Sequence, residues 1–304
     1  MSALQLDIRP DVSAALAERR PVVALESTLI AHGLPWPANL ETAQAAEAAI
    51  RAEGALPATV AIWKGRPTIG LDASQLEQLA RQQQVRKASS RDLAAAIVQK
   101  AFAATTVAAT MVLAQRAGLR VFATGGIGGV HPNAAGGFDV SADVLELART
   151  PVAVVCAGAK GILDLDATLE MLETMSVPVV GYGCAEFPAF LLASSGLPVS
   201  ACVESPEEAA ALCAAHWSLG GFGVVLAQPL PAEAALAPDD FHKALVRAES
   251  QARAEGVRGP ALTPFLLARL AELTDGRTLR ANQALIVANA KLAARVAAAF
   301  TSGD

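Results

Sequence analysis

Short runs of apolar, often β-branched residues alternate with longer amphipathic stretches along most of the chain. The runs at 21–27 (PVVALES), 58–65 (ATVAIWKG), 85–89 (VRKAS), 120–126 (RVFATGG), 152–158 (VAVVCAG), 177–183 (VPVVGYG) and 222–228 (FGVVLAQ) predict strands. Helical spacing of apolar positions marks 37–53, 73–82, 91–99, 105–117, 141–149, 162–175, 205–217 and 238–254 between them. Strands that are apolar throughout are buried on both faces, so this alternation predicts an α/β fold with a largely parallel sheet covered on each side. From Thr263 onward the pattern is helical only. Thr263 reads as an N-cap with Pro264 at the first helical position; a turn follows at Asp275-Gly276, then an Ala-rich helix over 278–300.

Composition narrows the class. Of the 304 residues, 53% are hydrophobic, enough for a large core, and no Ser/Gly/Pro-rich stretch interrupts them. One domain over 1–304 is therefore expected. The net charge of −5 is spread along the chain with no basic block, which argues against a nucleic-acid polymer as partner. The cysteines, Cys156, Cys184, Cys202 and Cys213, form no C-x-x-C pair and read as free thiols of a reducing compartment. Asp7, Arg9 and Asp11 stand where a secretion signal is apolar, and no apolar run approaches the ~18 residues of a membrane span. A soluble cytoplasmic protein is expected.

Chemistry is sought where strands end, because open α/β sheets bind ligands beyond their carboxyl ends. Glu26 closes an apolar run; burial there would raise its pKa and suit a general acid, and a structural ion pair is the plain alternative. The loop ATGGIGGVHP (123–132) has the glycines that let backbone amides approach a phosphate, but His131 stands where a dinucleotide fingerprint needs glycine, and no Walker lysine follows. In FDVSADVLEL, Ser141 or Asp143 reads as an N-cap, with Asp143 and Glu146 fitting a capping box, which leaves Asp139 unexplained. The histidines have no ligand spacing, so a hard cation held by carboxylate and water fits better than zinc. His32 and His131 lie in loops beside these residues. Lysine is scarce beside arginine, which gives Lys87 and Lys160 weight. A helix beginning near Ile162 would place Lys160 in the positive field of its N-terminus, favouring an amine nucleophile; a lysine reaching into solvent is the plain alternative.

Taken in order, ALESTLIAHGLPWPAN (24–39), PATVAIWKG (57–65), KASSRDL (87–93), TTVAATM (105–111), VFATGGIGGVH (121–131), FDVSADVLEL (138–147), VVCAGAKGILD (154–164), TPFLLARLAELT (263–274) and ANQALIVANA (281–290) resemble the pseudouridine-5′-phosphate glycosidase family, related to indigoidine synthase A-like proteins. The resemblance implies a three-layer α/β/α fold, commonly a homotrimer. It also implies reversible cleavage of pseudouridine 5′-phosphate to uracil and ribose 5-phosphate with a divalent metal, typically Mn²⁺. By the matched motifs Glu26 would be the proton donor, Lys160 the nucleophile that forms an iminium with the sugar, and Asp139 the metal ligand. Lys87, Val107, Ser141, Ala142 and Asp143 would contact substrate, and Asn289 would lie near the sugar. Ser90, Pro132, Gln228 and Ala288 depart from the family pattern. Two other readings stay open: another phosphosugar lyase on the same scaffold, and a non-catalytic nucleotide-binding protein.

Overall fold

The computed structural model describes residues 5–82, 84–132 and 139–302. In chain order the elements are β1 (Asp7–Ile8), α1 (Pro10–Ala17), β2 (Val22–Leu25), α2 (Ala38–Ala52), β3 (Leu56–Trp63), β4 (Arg66–Ile69), α3 (Ala73–Arg81), β5 (Arg86–Ala88), α4 (Leu93–Val98), β6 (Ala103–Thr105), α5 (Val107–Arg116), β7 (Val121–Ala123), α6 (Ala142–Leu147), β8 (Ala153–Cys156), α7 (Leu165–Thr174), β9 (Val179–Tyr182), β10 (Ala201–Val203), α8 (Pro206–Ser218), β11 (Val224–Ala227), α9 (Pro238–Ala254), α10 (Leu262–Leu273) and α11 (Arg277–Ser302).

The strands run in the order β1-β4-β3-β2-β7-β8-β11-β9-β10, with β6 joining β3 to β5. Pairing is parallel except where β3 meets β4 and β6. The central strands β2, β7, β8 and β11 are buried at every position, as strands covered on both faces must be. Helices lie on both sides of this mainly parallel sheet, and the C-terminal part of the chain is helical.

Every predicted strand is present. Four more, β1, β4, β6 and β10, have only two to four residues each, too few to carry a period. β4 is also an antiparallel return, joined to β3 by a two-residue turn in which Lys64 and Gly65 both take positive φ. α10 starts two residues early, at Leu262 after a 3₁₀ turn over Gly259–Ala261, so Thr263 is not its cap and Pro264 falls within the first turn. That position still needs no intrahelical N–H, which is why proline is tolerated.

Among the described residues, α11 alone has the length and apolar make-up of a membrane span, but half of the qualifying stretch is buried in the fold. Its alanines 281, 290, 293, 294 and 297 are buried and let it lie close against α2, α8 and the strands β2, β7 and β8. This packing carries Asn282 and Asn289 beneath the strand ends.

Candidate active site

The carboxyl ends of β2, β7 and β8 and the N-terminus of α5 open on a cleft of about 450 Å³. Glu26 follows β2 directly, and its neighbour Ser27 locks that strand end. Ser27 Oγ donates to the Val60 carbonyl at 2.6 Å and accepts the Thr105 amide at 2.9 Å, so β2, β3 and β6 meet in one buried knot. Thr124, the first residue after β7, donates its hydroxyl to Glu26 Oε1 in a short hydrogen bond. Burial pushes the Glu26 carboxyl above its usual range; Lys160, the Thr124 hydroxyl and Lys87 oppose that rise, and Asp143 adds to it.

Lys160 lies in the loop after β8, which runs beside the glycine-rich loop. Its amide donates to the Ile127 carbonyl at 3.0 Å, and its Nζ donates to the Gly126 carbonyl at 2.6 Å. The expected helix start near Ile162 is corrected: α7 begins at Leu165, capped by the Asp164 side chain, which accepts the Ala167 amide at 3.0 Å. Lys160 is thus outside the first turn, where a helix dipole acts. What sets Lys160 apart is its place in the cleft, with Glu26 and Lys87 as charged neighbours.

Lys87 projects from β5 into the same cleft, and its pKa is lowered, chiefly by burial and next by Lys160. His32, on a π-helical turn over Leu29–Gly33, and His131 both line the cleft; burial lowers the pKa of each. Val107 begins α5 and lines the cleft beside its cap Thr106, whose hydroxyl accepts the Ala109 amide.

Ser141 caps α6 by accepting the Asp143 amide at 3.2 Å. The capping box expected between Asp143 and Glu146 does not form. Asp143 instead accepts the Ala108 amide at 2.9 Å and the Gly128 amide at 2.8 Å, pinning the start of α5 to the glycine-rich loop. A Cβ at Gly128 would sit 2.3 Å from Ser141 Oγ, so only glycine lets these segments meet. Glu146 is bound by Arg149 and Thr150. Ser141, Ala142 and Asp143 all line the cleft.

Asp139 lines the cleft as well, and the His131 amide donates to its carbonyl at 3.0 Å. No three His, Cys, Asp or Glu side chains converge as a metal cage among the described residues. One carboxylate completed by water suits Mg²⁺ or Mn²⁺, which keep much of their hydration, and does not suit zinc. Asp139 therefore fits the divalent ion that the resemblance implies.

Asn289 is 1% exposed and lies below the cleft. Its amide nitrogen donates to the carbonyls of Thr124 at 2.8 Å and Gly125 at 3.3 Å, and its oxygen accepts Gln228 Nε2 at 2.9 Å. Gln228, one of the departures from the family pattern, is thus a partner of Asn289. Ser90 touches Arg149 at 3.5 Å, away from the cleft lining. Sequence reasoning passed over Asn282, which does line the cleft. It precedes Asn289 by two helical turns, and that spacing on one face was the available signal.

A mainly parallel sheet with a buried acid, two amines and a glycine-rich loop gathered at its strand ends defines an α/β enzyme. The model of the indigoidine synthase A like protein family matches residues 11–299, and the chain belongs to that family. Relatives named pseudouridine-5′-phosphate glycosidase occur in Chloroflexus aurantiacus (54% identity over 96% of this chain and 97% of the relative) and Herpetosiphon aurantiacus (53%, over 97% and 98%). Among solved structures, the prealnumycin C-glycosynthase AlnA in complex with ribulose 5-phosphate superposes with a TM-score of 0.90 at 38% identity, over 99% of this chain and 98% of that one. An indigoidine synthase A-like protein of Thermotoga maritima gives the same TM-score and coverage at 34% identity.

Proposed function

We propose that this chain is a pseudouridine-5′-phosphate glycosidase, a cytoplasmic enzyme working as a homotrimer, that reversibly cleaves the C–C glycosidic bond to give uracil and ribose 5-phosphate. The observation that carries the reading is the meeting of Glu26 and Lys160 in one cleft; the names of relatives at about half identity support it.

The bond sets the chemical demand. Carbon is a poor leaving atom, so simple acid-assisted departure does not suffice. Glu26, whose burial favours the protonated form, donates to O4′ as the ribose ring opens and the C1′–O4′ bond breaks. The Lys160 amine adds to the electrophilic C1′. Protonation at uracil C5 lets the C1′–C5 bond break, and the electron pair of the Lys160 nitrogen forms the C=N bond of a sugar iminium. Water adds to that iminium and releases ribose 5-phosphate and the free amine. Lys87 and Ser141 offer the phosphate a cation and a hydroxyl beside the positive end of α5. Asp139 would hold the divalent ion, which supplies positive charge beside an anionic substrate.

The test is release of free uracil from pseudouridine 5′-phosphate, with uridine 5′-phosphate as control. An iminium route predicts strong preference for the C-glycoside; equal rates on both refute it. The likeness to a C-glycosynthase favours one other reading, a C-glycoside enzyme for a different aglycone. Ribose 5-phosphate turnover with other ring compounds but not uracil would identify that case.

A further inference from the structure

The sheet has a second hollow at its other end. The cleft opens beyond the carboxyl ends of the strands, whereas a groove of about 730 Å³ lies at the amino ends of β2 and β7, and the two linings share no residue. Pro21 and Val22 lead into β2 there, and Arg120 and Val121 into β7. The 4 residues of β2 set the groove roughly 13 Å from Glu26, at about 3.3 Å per residue.

The groove is basic. Arg19 and Arg20, from the turn after α1, line it together with Arg120, and among the described residues no carboxylate does. That concentration of guanidinium stands out in a chain whose net charge is −5. Arg20 is partly offset by Glu18, its neighbour at 2.6 Å outside the lining. Arg120 has no ion pair among the described residues; its guanidinium lies 5.1 Å over the Trp217 ring. Trp217 is itself held, by the bond from its Nε1 to the Phe222 carbonyl at 2.7 Å and by the stacked Phe300 ring at 5.3 Å. The cation is therefore positioned before anything binds, which lowers the ordering cost of meeting an anion.

Arg19 adds an independent sign. Its φ is 54°, and the amides of Arg19 and Arg20 donate to the carbonyls of Leu16 at 3.2 Å and Ala15 at 2.7 Å. This is the left-handed close of a helix, where glycine is the usual residue. An arginine held there against backbone preference points to a use for its side chain.

Leu16, Val22, Leu119 and Phe300 give the groove an apolar floor. Guanidinium forks match the oxygens of a phosphate chain, and the floor and volume suit a nucleoside. We propose that this groove is a second ligand site, for a nucleoside polyphosphate whose phosphates pair with Arg19, Arg20 and Arg120 and whose nucleoside lies on the apolar floor. It stands whether or not the glycosidase reading does.

Titration calorimetry of the whole protein with ATP at physiological ionic strength tests it. A saturable site should appear, and Lys87→Ala, in the cleft, should leave its affinity within about twofold. Inorganic triphosphate, which lacks the nucleoside, should bind at least about tenfold more weakly. Arg120→Gln should weaken ATP at least about tenfold, as loss of one partner of a charge pair does. Arg19→Gly should weaken it as well; glycine suits that turn, so loss of binding there is not loss of fold. Absence of saturable binding overturns the assignment, and so does equal affinity for triphosphate and ATP. ATP binding that is lost in Lys87→Ala and kept in both arginine variants would place the nucleotide in the cleft and overturn it too.

Discussion

Lys160 Nζ donates to the Gly126 carbonyl at 2.6 Å, so the candidate nucleophile and the glycine-rich loop hold one another across 34 residues of chain. In this resting position the amine is aimed by backbone, and among the described residues no carboxylate forms an ion pair with it. Borohydride added with ribose 5-phosphate is expected to fix one sugar phosphate on the peptide containing Lys160, found by mass spectrometry. Lys160→Ala should abolish turnover yet bind substrate. Lys160→Arg should be equally inactive, since a guanidinium keeps its proton and cannot form an iminium. An active arginine variant would end the covalent route.

Glu26 makes a prediction in two observables. Its Gln variant should be slower by about 10²–10⁴, the range for loss of a general acid. It should also be more stable than wild type at neutral pH. A carboxyl whose folded pKa lies above its unfolded value of about 4.3 stabilises the fold fully below that value, and the contribution fades as pH rises through the folded pKa. The gap between Glu26→Gln and wild type in thermal melts should therefore widen from about pH 4 upward. A constant gap would mean that Glu26 ionises as freely in the fold as out of it.

Asp139 can be tested without reference to turnover. Titration calorimetry with Mn²⁺ on chelator-treated protein should show one site per chain, and Asp139→Ala should weaken it at least about tenfold with an unchanged circular dichroism spectrum. Activity should fall on EDTA treatment and return with Mn²⁺. A fully active, verified metal-free enzyme would remove the ion from the reaction.

For assembly, light scattering at micromolar concentration should give three times the 31.1 kDa chain mass. Large exposed side chains such as Leu219, Phe222 and Val246 are available to a partner surface. A monomer at that concentration would count against the trimer.

The sequence was most legible where burial writes a long signal. Glu26, Thr124 and Lys160 each end or follow an apolar run, and the two-sided cover of the sheet makes those runs unmistakable. Short strands such as β1 and β6 leave no period, and their pairing depends on residues remote in sequence. Asp143 was misread for the opposite reason. Its local spacing to Glu146 fits a cap, but two amides from other loops claim the carboxylate first. Asn289 was placed near the sugar by its motif, whereas its amide braces the loop floor and Asn282 is the one that lines the cleft. Local pattern shows which side chains are polar; only the packed fold shows which of them already have partners.

The brace from Asn289 to Thr124 and Gly125 spans 165 and 164 residues. A nascent chain that has left the ribosome as far as β11 already contains Glu26, Lys87, Asp139 and Lys160. The two carbonyls beneath its glycine-rich loop are still waiting for an amide that has not been translated. Competence should therefore arrive late and in one step, when α11 docks, and a prematurely terminated chain should be inert and not feebly active.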